Sequence, residues 1–166
     1  KTNFTPLTVH GRVDDRLTTV TVNGITASRA GVDFEAAVPL SLGANTLRVR
    51  AVSPNGHVTE RDYAVTLGTI PTIQAVEPAA RTKVYAGAAV TVQISASDAE
   101  GDPIEYQVSL DGAPLADWSG AAAQGWTPTL GQLGRRRLTA AVRDAFGGSR
   151  SQDADVFVVR QPIDHP

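Results

Sequence analysis

Within short runs of this chain, apolar side chains recur at every second position, and Gly, Pro, Asn and Asp cut the runs apart. That period matches the alternating faces of a β-strand, whereas a helix would need 3.6-residue spacing and capping residues, which are missing. Phe34, Ala36 and Val38 share a face in residues 32–40, and Leu47, Val49 and Ala51 do so in 46–53. Tyr63, Val65 and Leu67 repeat the pattern, as do Val90, Val92, Ile94 and Ala96, then Leu138, Ala140 and Val142, and finally Val156 and Val158. Turn signals fall about eight to twelve residues apart, the spacing of a β-sandwich or barrel. Aromatic residues are only 5% of the chain while apolar residues reach 42%, so β-branched and small side chains must build the core. Valine and threonine suit a pleated, half-buried surface.

Two dipeptides set the punctuation. Asn23-Gly24 and Asp111-Gly112 both tolerate positive φ at consecutive positions, which a tight hairpin demands. The first is expected to join a strand at 18–23 to a return strand at 25–28, and the second follows a strand at 104–110. Pro71 and Pro78 frame a stretch without clear alternation, expected to be a stiff connector. The expected organisation is one module at 1–68, a proline-containing linker at 69–78 and a second module at 79–166. The halves also align with each other without a gap. Leu42-Gly43 lies over Leu133-Gly134, Leu47 over Leu138, Val49 over Ala140, Ala51 over Val142, Ser53 over Asp144 and Gly56 over Gly147. Trp126 matches Phe34 loosely and is expected in the core.

Val9-His10-Gly11-Arg12-Val13, Val20-Thr21-Val22-Asn23-Gly24, Phe34, Val38-Pro39-Leu40, Gly43-Ala44-Asn45 and Val49-Arg50-Ala51 together resemble the bacterial immunoglobulin-like domains, including the type first named from glucodextranase domain B. The resemblance covers most of residues 5–67 and departs at Ser53, where that family often has an acidic residue. The second half is similar to cadherin-like, PKD-like and fibronectin type III-like sandwiches. The residues concerned are Ser97-Asp98-Ala99-Glu100-Gly101-Asp102-Pro103, Tyr106 and Val142-Arg143-Asp144. The implied architecture is all-β, two tandem immunoglobulin-like β-sandwich domains.

Asp98, Glu100 and Asp102 place carboxylates at alternate positions of a glycine-containing turn, and hard oxygen ligands suit calcium. Asp144 joins them if its turn lies at the same end. The segment lacks the glycine position and closing glutamate of an EF-hand, and Asp and Gly also simply make turns, so both readings stay open. No other cofactor is expected. Carbohydrate binding would use an exposed aromatic face, for which Trp118 is the candidate, beside a small-residue stretch at 119–125 that is either a binding loop or a tolerant connection.

Catalytic constellations are missing. His10, His57 and His165 are scattered, no G-x-S-x-G or phosphate loop occurs, and the adjacent Asp14-Asp15 pair would diverge in a loop. With no cysteine there is neither a disulfide nor a thiol nucleophile. A formal net charge of -2 leaves no basic face for nucleic acid, and Arg135-Arg136-Arg137 is expected to be a solvated turn where a loop meets a strand. No apolar run approaches the ~18 residues of a membrane span. The chain opens on Lys1 rather than Met and is expected to be a mature or excised piece of a larger soluble protein.

The expected role is therefore not enzymatic: a noncatalytic module pair of a secreted or cell-surface bacterial protein, acting as spacer, docking or adhesion element. Its expected partners are neighbouring domains of a larger polypeptide, and protein or polysaccharide beyond them. Exposed edge strands offer β-augmentation as a route to assembly. Two alternatives stay open: a carbohydrate-binding accessory region of a secreted glycan-active enzyme, using Trp118, and a calcium-dependent adhesion module.

Overall fold

A computed structural model describes residues 1–162; His165 lies outside the described residues. The chain divides between Gly68 and Thr69 into two compact units. Both are built from β-strands, and the longest helical element described is one 3-10 turn at Leu130–Gln132.

The first unit holds β1 (Leu7–Arg12), β2 (Thr19–Val22), β3 (Ile25–Thr26), β4 (Ser28–Ala30), β5 (Asp33–Val38), β6 (Gly43–Val52) and β7 (Val58–Leu67). One sheet runs β3-β2-β6-β7 and the other β1-β5-β4. Asn23 and Gly24 take φ of 49° and 81°, the double positive φ of a type I′ hairpin. The return strand is shorter than its sequence implies. Ala27 is buried, and the chain crosses there from β3 in one sheet to β4 in the other, where Arg29 pairs with Phe34. Alternate residues of the facing strands, Val20 and Val22 on β2 and Phe34, Ala36 and Val38 on β5, fill the space between the sheets with Leu47.

Phe34 lies opposite Gly11 on β1, and a Cβ built on that glycine would sit 2.3 Å from the ring's Cζ. Only glycine leaves room for the ring to lie on the strand. This is a cross-strand pair in which one partner supplies no side chain.

The second unit holds β8 (Thr72–Glu77), β9 (Lys83–Tyr85), β10 (Val90–Ser97), β11 (Glu105–Leu110), β12 (Ala113–Pro114), β13 (Ala123–Trp126), β14 (Gly134–Arg143) and β15 (Ser149–Val159). Its sheets run β13-β10-β8 and β12-β11-β14-β15-β9, with β9 parallel to β15. Leu138, Ala140 and Val142 on the central β14 are wholly withdrawn from water and meet Val92, Ile94 and Trp126 of the other sheet. Trp126 is 7% exposed, as a core position requires.

Two segments differ from their sequence-based expectation. Residues 72–77, inside the expected linker at 69–78, form β8 and pair with β10. A register shift between Ser95 and Ala96 leaves Gln74 unmatched, so the inward residues Ile73 and Val76 stand three apart rather than two, and the alternation is hidden. The small-residue stretch at 119–125 is likewise not all loop, because β13 begins at Ala123 and pairs with β10.

Gln124 ties β13 to the opposite sheet. Its buried side chain accepts a hydrogen bond from the Val108 N–H at 3.0 Å and donates to the Tyr106 carbonyl at 3.1 Å, satisfying two main-chain groups of β11 across the sandwich. Buried peptide groups without partners cost about 1–3 kcal/mol each. Gln124→Ala is accordingly expected to lower stability by about 2–4 kcal/mol, measured as a shifted urea midpoint with an unchanged slope.

Candidate functional site

The acidic turn at 98–102 is drawn together by its own backbone. Asp98 Oδ1 accepts the N–H groups of Glu100 at 3.0 Å and Asp102 at 3.1 Å, and Gly101, at φ 77°, closes the loop onto the Asp98 carbonyl. Glu100 Oε2 accepts both the N–H and the hydroxyl of Thr69 at 2.9 Å. One oxygen from each of Asp98, Glu100 and Asp102 comes within 4.8 Å of the others. Asp98 Oδ2 is buried and has no hydrogen-bond partner among the described residues. A carboxylate oxygen removed from water without a donor is costly, and a cation would relieve that cost.

Asp144 follows β14 at the same end, since Glu105 pairs with Arg143, but the carboxylate oxygens that converge are those of the other three. Asp144 is buried, and its Oδ1 accepts the N–H groups of Phe146 at 2.7 Å and Gly148 at 3.0 Å, so it shapes the β14–β15 turn. Ser53, its counterpart in the internal repeat, does related work: its hydroxyl reaches Asn55 Oδ1 and the His57 carbonyl.

Trp118 is half-buried, with the Arg143 guanidinium stacked 4.4 Å from its ring centroid. Arg143 is itself held by Glu105 at 2.8 Å. One face of the indole is thus covered by a cation. Neither Thr69 beside the acidic turn nor Arg143 over Trp118 was indicated by the sequence, because each partner lies more than twenty residues away.

The three consecutive arginines lie within β14 rather than in a turn. Arg135 pairs with Asp155, Arg136 with Asp111 and Arg137 with Asp153, so each guanidinium faces a carboxylate on β15 or on the β11–β12 hairpin. Each of the three charges is thus matched by a carboxylate across the strands. His10 likewise faces Glu35 on the neighbouring strand, 3.6 Å away, with both side chains exposed.

The first unit is open along one side. Among the described residues β1 pairs with β5, and β7 pairs with β6 apart from a contact of Thr2 at the Leu67 end. Between β1 and β7 lies a groove of about 820 Å³, with Val9, Phe34, Leu47 and Val49 on its floor and Arg61 and Tyr63 on its wall.

Two packed sheets in each unit, with turns and edges carrying the polar groups, define immunoglobulin-like and fibronectin type III-like modules. Compared with protein-family models and with curated proteins, the chain matches none. Among solved structures it is similar to the fibronectin(III)-like modules of Clostridium thermocellum CbhA, with a TM-score of 0.57 and 16% identity over 98% of this chain and 90% of that one. An I-band fragment of titin aligns with a TM-score of 0.45 and 12% identity over 93% of this chain and 60% of that one. A chimeric titin tandem aligns at 0.42 and 18%, over 92% and 90%. What the chain shares with the CbhA modules is the fold.

The Asp111 hairpin gives a pH test of the ion-pair ladder. The Arg137 N–H donated to Asp111, followed by the Arg136 guanidinium, holds this carboxyl below its ordinary value. Between the folded and ordinary values the unfolded chain binds more protons, so stability from this group is present above about pH 4 and is lost as pH falls through the folded value. Asp111→Asn is expected to be less stable than wild type at pH 7, with the gap closing in acid. Thermal melts of both proteins across pH 2–7 check this.

Proposed function

We propose that this chain is a noncatalytic module pair of a secreted or cell-surface bacterial protein, spacing and docking the domains attached to it. The observation that carries this reading is that each unit has an aliphatic core of its own, from Val20 to Leu47 in one and from Val76 to Val158 in the other. The arginines and carboxylates of the strands are meanwhile spent on cross-strand pairs such as Arg48–Asp62, Arg50–Glu60 and Arg143–Glu105. Such pairs keep sheet faces soluble and in register without creating a reactive group. The resemblance of residues 5–67 to bacterial immunoglobulin-like domains supports the habitat. Among the described residues no helix is long and apolar enough to cross a membrane.

A spacer built this way unfolds one module at a time. Stretching the intact chain in a single-molecule force experiment is expected to give two separate events, releasing lengths that match 68 and 98 residues at about 3.6 Å each. A single event would count against the reading. Glycan-array binding that disappears in Trp118→Ala with the fold intact would replace it with a carbohydrate-binding accessory role.

The partnerless Asp98 Oδ2 favours a second reading, calcium binding at Asp98, Glu100 and Asp102. These carboxylates fit calcium in kind, and main-chain carbonyls or water would complete its usual six to eight oxygens. Calcium at about a hundredfold over its dissociation constant would stabilise the folded chain by about 2.7 kcal/mol. The melting temperature should therefore rise in millimolar calcium relative to chelator, and Asp98→Asn should abolish the rise; identical melts would remove the metal.

A further inference from the structure

The two units share a register, and it locates a strand that covers the core in one of them. Gly43 pairs with Leu67 as Gly134 pairs with Val158, so Leu67 and Val158 hold equivalent places. Each is met by a parallel bridge from an earlier segment, Leu67 by Thr2 and Val158 by Val84 of β9. Thr2 therefore stands where Val84 stands. β1 takes the place of β10, since it pairs with β5 as β10 pairs with β13. In the second unit the residues just ahead of β9 form β8, which pairs with β10 and also touches β14 and β15. The groove of the first unit is walled by β1, β6 and β7, the counterparts of those three strands. Burial follows the same correspondence. Ala140, Val142 and Val156 are wholly buried, while their equivalents Val49, Ala51 and Val65 remain partly open to water. Tyr63, the equivalent of Ala154, is 51% exposed where Ala154 is 4%. From β8, Val76 enters the core at 7% exposure, and Ile73 packs against the same cluster.

We propose that the residues directly upstream of Lys1 in the parent polypeptide form an edge strand that fills this groove, antiparallel to β1. The occupant is the chain itself. In the second unit residues 78–82 suffice to carry the chain from β8 to β9. A tether that short, leading back from Thr2, favours the upstream strand over any free peptide of equal affinity. Its inward positions follow from the equivalence of Thr2 with Val84. Val76 and Ile73 precede Val84 by eight and eleven residues. The upstream strand is therefore expected to carry aliphatic residues about seven and ten positions ahead of Lys1, set three apart by the same kind of bulge. Its main-chain groups complete the β1 edge, and its aliphatic residues cover Val49, Ala51 and Val65. Each module is in this way finished by the connector that leads into it, as residues 72–77 finish the second.

The proposal rests on the reading of the chain as part of a larger polypeptide, but the two fail separately. A single unfolding event would sink the module pair, whereas the strand is tested by amide hydrogen exchange. Two proteins are compared, residues 1–166 and the same chain extended by about fifteen upstream residues of its own reading frame, room for a strand of ordinary length and its turn. The extension is expected to slow exchange at the β1 amides that point away from β5 by about tenfold or more. Amides of the second unit should keep their rates and serve as the internal reference. Replacing the two aliphatic upstream residues by Asp should return the β1 amides to the rates of the unextended chain. Equal β1 exchange with and without the extension, or indifference to the Asp pair, would overturn the proposal. Protection of the same amides that grows with the concentration of the unextended chain would also overturn it, assigning the edge to a second copy. A reading frame with nothing ahead of Lys1 would end both the proposal and the larger polypeptide.

Discussion

The stripe Leu138, Ala140 and Val142 on β14 is the constraint on which the second unit depends. These residues lie on the central strand of the larger sheet, and everything opposite them, from Ile94 to Trp126, is placed to cover them. Because side chains alternate, a slip of one residue would turn the whole stripe to solvent and bring Arg137, Thr139 and Ala141 inward. The outward ladder reinforces the same register: Arg135, Arg137 and Arg143 meet acidic partners only in the observed alignment. Each such surface pair is worth little alone. Their value is that they penalise the wrong alignments.

The same logic explains what could be read from the chain. Both hairpins were legible because Asn23-Gly24 and Asp111-Gly112 are local signals, and both have the double positive φ they imply. The internal repeat is visible as geometry too: Gly43 and Gly134 take φ of 88° and 98°, Gly56 and Gly147 take 84° and 92°, and Leu47 and Leu138 are both buried. What escaped was non-local. β8 hid its period behind a bulge against β10, and β13 looked like a loop because its two inward residues, Gln124 and Trp126, include a polar one. Gln124 is inward because it answers main-chain groups of a strand sixteen residues away or more, which no local pattern encodes.

The candidate sites were legible to different degrees. The three carboxylates of the acidic turn were found from their spacing and do converge, since the turn that gathers them is encoded in five consecutive residues. Asp144 was included on the condition that its turn lay at the same end, and Glu105 does pair with Arg143, so the two turns share an end, while Asp144 Oδ1 also holds its own turn together. Trp118 was singled out as an exposed aromatic, but the cation lying on one of its faces could come only from the fold. The open side of the first unit left no trace in the sequence.

Gly11 gives that open side its depth. The Phe34 ring rests where a Cβ on Gly11 would stand, so this core side chain lies against the β1 backbone. Even one methyl group at residue 11 would have to lift the ring and fill the hollow from below. The capacity of the groove is therefore written into the chain as a single omitted side chain, adjustable by one substitution while the buried stripe on the opposite sheet stays as it is.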